Sequence, residues 1–264
     1  MKKVITITFE GTYKKYYFAA MPGLKIGDFV VVETVRGQEL GRVVGEEKEI
    51  DDSEVVGELK PIIRKATDKD LESKEENRKM KPELLKKVKE IVSKSGLEMK
   101  VLEAEYALDK SKLVIQYTAE GRVDFRELLK SLASEFRTRI ELRQVGPRDA
   151  SRIVSGIGPC GRRLCCSTFL GDIQNVTIKM AKNQNLTLNP TTISGLCGKL
   201  LCCISFEDKI YQEMRAKLPD IDDEIETEKG VGKVVAMDIL DESVTIRYED
   251  ATEEVISMSD LEEE

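Results

Sequence analysis

All six cysteines of this chain fall in two copies of one short pattern. The first is Cys160-Gly-Arg-Arg-Leu-Cys165-Cys166 and the second is Cys197-Gly-Lys-Leu-Leu-Cys202-Cys203. Both read C-G-(R/K)-x-L-C-C. Each follows a glycine-containing approach and is followed three residues on by a phenylalanine, Phe169 and Phe206. Six cysteines scattered at random do not repeat in this way. Disulfides suit a small secreted domain, whereas this chain has 264 residues and opens on MKKVITITFEGTYKKYY, which lacks the apolar stretch of an export signal. Single buried cysteines acting as small hydrophobes are common, but paired C-x4-C-C runs with a glycine after each lead cysteine are not. The pattern therefore favours thiolate ligation. Thiolates select zinc or iron–sulfur centres, and the adjacent Cys-Cys pairs suit an iron–sulfur cluster better than the usual zinc spacing. A glycine beside each lead cysteine lets backbone approach a sulfur-rich centre and donate N–H groups to it. In extended backbone, adjacent side chains point to opposite sides. The expected ligands are therefore Cys160, Cys197 and Cys202, with Cys166 next. Cys165 and Cys203 are second choices, expected to be the buried, structural members.

Composition narrows the chemistry further. The chain has no His and no Trp, which removes the Ser-His-Asp triad, the Cys-His pair and any His-ligated metal site. No C-x-x-C occurs, so a thiol oxidoreductase ranks last. The net charge of −7 is unevenly spread. Residues 147–203 carry seven basic and two acidic side chains, and residues 204–264 carry six basic and twenty acidic. The cysteine segment is thus locally basic and the end of the chain strongly acidic. Overall acidity argues against a dedicated nucleic-acid binder. No apolar run approaches the roughly 20 residues of a membrane-spanning helix, so a cytoplasmic protein is expected.

The hydrophobic periods predict an α+β chain in four parts. Residues 1–65 form a small N-terminal β unit, with strands at VITITF (4–9), FVVVET (29–34) and ELGRVV (39–44) and turns at Gly23, Gly27, Gly37 and Gly41. Residues 66–146 read α-β-β-α-β. Met80, Leu84, Leu85, Val88, Ile91 and Val92 mark one helix face, and Phe125, Leu128, Leu129, Leu132 and Phe136 mark another. Between and after them lie strands at MKVLEAEYAL, KLVIQYT and RIELRQV, so helices are expected on one face of an antiparallel sheet. Residues 147–206 are a cysteine-rich loop segment with a short helix between the two copies. Residues 207–264 are an acidic linker, including 222–228, followed by a small β-meander.

The runs GIGPCGRRLCCSTFL and IKMAKNQNLTLNPTTISGLCGKLLCC resemble the bacterial RicT (YaaT) proteins of the polymerase-suppressor C-terminal homology family. The likeness is close over about 60 residues of the signature and consistent with the α+β stretch before it. It implies a non-enzymatic adaptor that assembles with two small helical partners, RicA-like and RicF-like, into a complex carrying 4Fe–4S clusters. That complex acts with the endoribonuclease RNase Y in messenger-RNA maturation. By this resemblance all six cysteines become ligand candidates. The alternative function is a zinc-stabilised nucleic-acid-binding module using Arg162, Arg163 or Lys182.

The run Lys179, Lys182, Asn183 and Gln184 lies between the cysteine copies and is expected to be a solvated helix face. The terminal β units resemble small barrels that bind RNA in other proteins. With few aromatics for base stacking, direct RNA contact is expected to be weak.

Overall fold

Short runs of β-branched residues, buried on both faces at Val4–Ile7 and Val30–Val32, build the first sheet. In β1 (Lys2–Phe9) the side chains of Ile5 and Ile7 point into a core with Phe18, Val30, Val32, Val43 and Ile62. The partners are β2 (Lys15–Ala19), β3 (Phe29–Thr34), β4 (Gly37–Val43), β5 (Lys48–Ile50) and β6 (Ile62–Lys65), in the order β2-β1-β4-β3-β6 with β5 also on β1. A parallel bridge from Ala19 to Pro61 brings β2 round toward the β6 side, so the sheet curls into a small barrel. This computed structural model describes residues 2–11, 13–51, 59–121, 123–227 and 229–258.

Gly41 is not at a turn, as its residue type had suggested. It sits inside β4 opposite Val30 and Phe9. A Cβ there would lie 2.4 Å from Cγ2 of Ile7, so the glycine lets two strands of a narrow barrel pack closely.

The second part of the fold is an α+β layer. Strands β7 (Lys100–Tyr106), β8 (Lys112–Thr118) and β9 (Arg139–Gln144) pair in that order. Ser111 N–H donates to Asp109 Oδ1 (3.0 Å) in the β7–β8 turn. The sheet is mixed rather than antiparallel. β7 and β8 are antiparallel, but β8 and β9 are parallel, because α2 (Arg126–Phe136) provides the crossover between them. Leu84, Val88 and Val92 from α1 (Asp68–Lys94) and Leu128 and Leu132 from α2 meet Val101, Leu113 and Ile115 in one core. The barrel is fastened to this layer by Val31 and Leu40 against Leu108, and Leu108 N–H donates to the Gln38 carbonyl (3.0 Å).

Helix α1 begins twelve residues before its apolar stripe, in a run too polar to show a period. Three polar contacts anchor that run. Thr67 N–H donates to Asp70 Oδ2 (2.7 Å), Arg64 Nη2 donates to Asp70 Oδ1 (2.9 Å), and Asn77 Nδ2 donates to the Ala107 carbonyl (3.2 Å). The Arg64 hydrogen bond, aided by the Thr67 N–H, holds the Asp70 carboxyl well below its ordinary value of 3.8. Such a group stabilises the fold fully above its unfolded value and loses that contribution as pH falls through and below it. In Asp70→Asn, the midpoint of the thermal transition of the first unit is therefore expected to fall less steeply than in wild type below about pH 4. Melts across that range check this, and parallel curves for the two proteins would contradict it.

The chain divides into two compact units, residues 1–172 and 173–264. In the second, α7 (Cys202–Arg215) sends Tyr211 and Met214 onto a core of Leu218, Val234, Ile239, Val244 and Ile246. The sheet is β10 (Glu224–Thr227), β11 (Gly230–Asp238), β12 (Ser243–Arg247) and β13 (Glu253–Ser257), a meander of antiparallel neighbours. The acidic stretch read as a linker thus includes a strand. Its charges alternate outward, and Ile225 turns toward the core. Glu228 lies outside the described residues.

Candidate functional site

Each cysteine copy folds into a hairpin followed at once by a helix. In the first unit, α3 (Pro147–Val154) leads into an antiparallel bridge between Ile157 and Arg163. Gly158 N–H donates to the Arg162 carbonyl (2.8 Å) and Gly161 N–H to the Gly158 carbonyl (3.0 Å). The loop is Pro159-Cys160-Gly161, and Gly161 has φ +76°. This is the three-residue hairpin whose last loop position is left-handed, where glycine is favoured. Leu164 then turns the chain into the short α4 (Cys165–Thr168).

The second unit repeats the build. After α5 (Ile178–Asn183) and α6 (Pro190–Ile193), Ser194 bridges Leu200. Gly195 N–H donates to the Lys199 carbonyl (2.8 Å), Gly198 N–H to the Gly195 carbonyl (2.9 Å), and Gly198 has φ +74°. Leu201 occupies the place of Leu164, with φ −57°, ψ 132° against −54°, 130°. Cys202 then opens α7.

Gly161 and Gly198 are favoured by backbone conformation. Gly158 and Gly195 lie under the tip thiols, where an added Cβ would be 3.6 Å from Cys160 Sγ and 3.8 Å from Cys197 Sγ, ordinary contact distances that do not by themselves demand glycine.

The geometry makes Cys160 equivalent to Cys197, Cys165 to Cys202, and Cys166 to Cys203. Cys160 is exposed, Cys166 is buried, and the other four are half-buried, so the buried member is Cys166 rather than Cys165 or Cys203 as expected. The adjacent pairs do not lie in extended backbone, as expected from sequence, but in the first turn of a helix. There, successive side chains are turned by about 100° rather than opposed. The exposed cations Arg162, Arg163 and Lys199 flank the tips, and among the described residues none of them has a carboxylate within ion-pair distance.

Cys160 and Cys166 belong to the first unit, and Cys197 and Cys202 to the second. Among the described residues, no three or more Cys, Asp or Glu side chains converge as ligands of one metal ion. Thiol chemistry suits a thiophilic metal. Neither unit by itself, however, gathers the four ligands of a complete cluster, so the residues of one unit alone do not fit that group.

The run between the copies is not a solvated face throughout. Lys182 is exposed, but Gln184 is buried and its Nε2 donates to the Ile204 carbonyl (2.7 Å). Asn183 Nδ2 donates to Asp208 Oδ1 (3.0 Å), and Gln212 Nε2 donates to Asp208 Oδ2 (2.6 Å). With Ala181, Ile193 and Ile204 packed together, these bonds fix the helix that carries Cys202 and Cys203. Asp208 escaped the sequence reading. Its signal was an acid four residues after Ile204, on the stripe that faces inward.

The end of the first copy is held from the barrel side. A Cβ on Gly171 would meet the backbone at Lys14 N and Tyr13 C, both at 2.3 Å, and Lys14 Nζ pairs with Asp172 (3.1 Å).

Residues 60–145 match the PSP1 C-terminal conserved region, and residues 175–218 match the third domain of PSP1-like proteins. The stage 0 sporulation protein YaaT of Bacillus subtilis is 48% identical over 243 residues, which is 91% of this chain and 88% of YaaT. An uncharacterized protein of Schizosaccharomyces pombe is 31% identical over 146 residues, 44% of this chain but 19% of its own length. Protein PSP1 of Saccharomyces cerevisiae is 46% identical over 50 residues, 19% of this chain and 6% of its own. No solved structure matches.

Proposed function

This chain belongs to the PSP1-like family that includes YaaT, and from that premise we propose that it is a non-enzymatic adaptor. It assembles in the cytoplasm with small helical partners of the RicA and RicF kind, and with them regulates messenger-RNA maturation by RNase Y. The observation that carries this reading is the doubled hairpin–helix corner. Two units of different fold each offer a glycine-supported thiol tip flanked by exposed cations. A pair of matched corners suits a shared ligand or partner. The Bacillus relative's name, a stage 0 sporulation protein, accords with a regulatory role. No described helix is long and apolar enough to cross a membrane.

The cofactor of this reading is a 4Fe–4S cluster, to which Cys160, Cys166, Cys197 and Cys202 contribute, with Cys165 and Cys203 as second choices. Because neither unit gathers four ligands, the proposal places cluster formation in the assembled complex rather than in the lone chain. There, metal binding adds to the stability of the ordered corners.

The test is anaerobic purification of the chain alone and co-expressed with its partners, followed by iron, acid-labile sulfide and zinc analysis. Iron and sulfide are expected in the complex, and both should be lost together with partner retention in Cys160→Ser and Cys197→Ser. Tightly bound zinc without iron in the complex would transfer the assignment to the zinc-stabilised module. Unchanged assembly in both serine variants would remove the cysteine corners from the mechanism.

A further inference from the structure

We propose that the outer face of the N-terminal barrel binds single-stranded RNA through Tyr17, Phe29 and three cations, Lys15, Arg42 and Lys48. This deepens the adaptor reading by giving the chain its own hold on RNA, and rests on that reading only for its setting in RNA maturation.

Strand register puts these side chains on one face. Lys15 pairs with Thr8, Thr8 with Arg42, and Arg42 with Phe29, so the four form a row across β2, β1, β4 and β3. Directly opposed residues of antiparallel strands share a face. Tyr17, two residues from Lys15, lies on the same side, and Lys48 reaches it from β5. Tyr17 is 39% exposed and Phe29 40%, so both rings are open to a partner. Strand spacing of about 4.8 Å separates the two rings by roughly 15 Å, room for a short run of nucleotides.

A cation stands beside each ring. Lys48 Nζ donates to the Tyr17 hydroxyl (3.0 Å) and lies 4.6 Å from the ring centre, at its hydroxyl end, and the Arg42 guanidinium lies 5.9 Å from the centre of Phe29. Among the described residues Lys15, Arg42 and Lys48 have no carboxylate partner, whereas Glu10, Asp28 and Glu47 of the barrel are engaged by other lysines. An exposed cation–π contact is weak. An incoming base takes the ring face, and the neighbouring cation meets that nucleotide's phosphate. Stacking and phosphate neutralisation together make the surface that single strands use. The acidity of the whole chain does not oppose this. Residues 1–65 hold eleven basic and eleven acidic side chains, and the excess acid lies in residues 204–264.

The experiment is fluorescence anisotropy of a labelled, mixed-sequence single-stranded RNA of about twenty nucleotides, long enough to fill such a face, titrated with the full chain. Wild type is expected to bind the single strand more tightly than its duplex. Tyr17→Ala and Phe29→Ala are each expected to weaken binding at least about fivefold. The double variant Lys15→Gln/Arg42→Gln should lower the salt slope by about 1.4, at about 0.7 per phosphate contact. Lys233→Gln, on the second unit, serves as a control that binds like wild type, and matched thermal melts establish that all variants fold. No binding at low salt, equal binding of duplex, or indifference to both ring substitutions would overturn the proposal. So would ring variants that lose protein partners while RNA is never bound, since the face would then be a protein dock. Partner assembly measured on the Cys160→Ser and Cys197→Ser proteins stands or falls separately, so failure here and failure of the adaptor reading are distinct results.

Discussion

Leu132→Ala is expected to cost about 3 kcal/mol, within the 2–5 kcal/mol range of buried Leu→Ala changes. Leu132 is fully buried at the point where α2 meets α1 and the mixed sheet, packed in the cluster of Leu84, Val88, Leu113 and Ile115. The residues around it come from two helices and two strands, so the cavity can shrink only if several elements move at once. That argues against a value near the bottom of the range. Because the chain has two compact units, a single melting temperature is a poor measure, and native-state hydrogen exchange is the better one. Amides of β7, β8 and β9 should exchange roughly a hundredfold faster, the equivalent of about 3 kcal/mol, while those of β11 and β12 keep their protection. Uniform acceleration in both sheets would mean that the chain unfolds as one cooperative body.

The elements legible in the sequence are those with a plain apolar pattern. β1 and β3 are short β-branched runs buried on both faces, at Val4–Ile7 and Val30–Val32, and Leu84, Val88 and Val92 on α1 and Leu128 and Leu132 on α2 keep helical spacing. What escaped was set by tertiary contact. The first three turns of α1 have no stripe and are held by Asp70, Arg64 and Asn77 reaching partners distant in sequence or outside the helix. Residues 224–227 looked like an acidic linker because a one-sided four-residue strand shows mainly its polar side. Gly41 shows a limit of glycine as a signal. The same residue marks a turn or a close approach, and only the position of Ile7 decides between them. The parallel pairing of β8 with β9 follows from the crossover through α2, which a list of alternating elements does not specify.

At the cysteine copies, the pattern was plain and its backbone was not. The doubled C-G-(R/K)-x-L-C-C spacing announced two equivalent structures. It did not announce that the leading glycines serve a left-handed turn, or that each Cys-Cys pair begins a helix. Gln184 illustrates the reason. A glutamine in a polar run reads as solvated until a buried carbonyl, here that of Ile204, is placed beside it.

Asp208→Ala is the change expected to separate the integrity of the second corner from its chemistry. Asp208 is buried, and its two oxygens accept from Asn183 and Gln212. A carboxylate is an acceptor at both oxygens, which suits two amide donors. Alanine strands the half-buried Asn183 amide, while the exposed Gln212 amide turns to water. The expected cost is about 2 kcal/mol, the penalty of one unsatisfied donor together with the lost hydrogen bond. Asp208→Asn keeps one acceptor, and the Gln212 amide can flip to offer its carbonyl to the new NH2 group. Its expected cost is therefore less than about 1 kcal/mol. The consequence for function lies about one and a half turns earlier in α7, at Cys202 and Cys203. With its inward anchor gone, that end of the helix opens more often, and alkylation of these thiols should accelerate in step with the loss of local stability. The thiols of the first copy, in the other unit, provide the internal reference. If Cys202 and Cys203 react at the wild-type rate in Asp208→Ala while local stability falls, the Asn183–Asp208–Gln212 bonds hold the middle of α7 without positioning its cysteines, and the second corner is shaped by its hairpin alone.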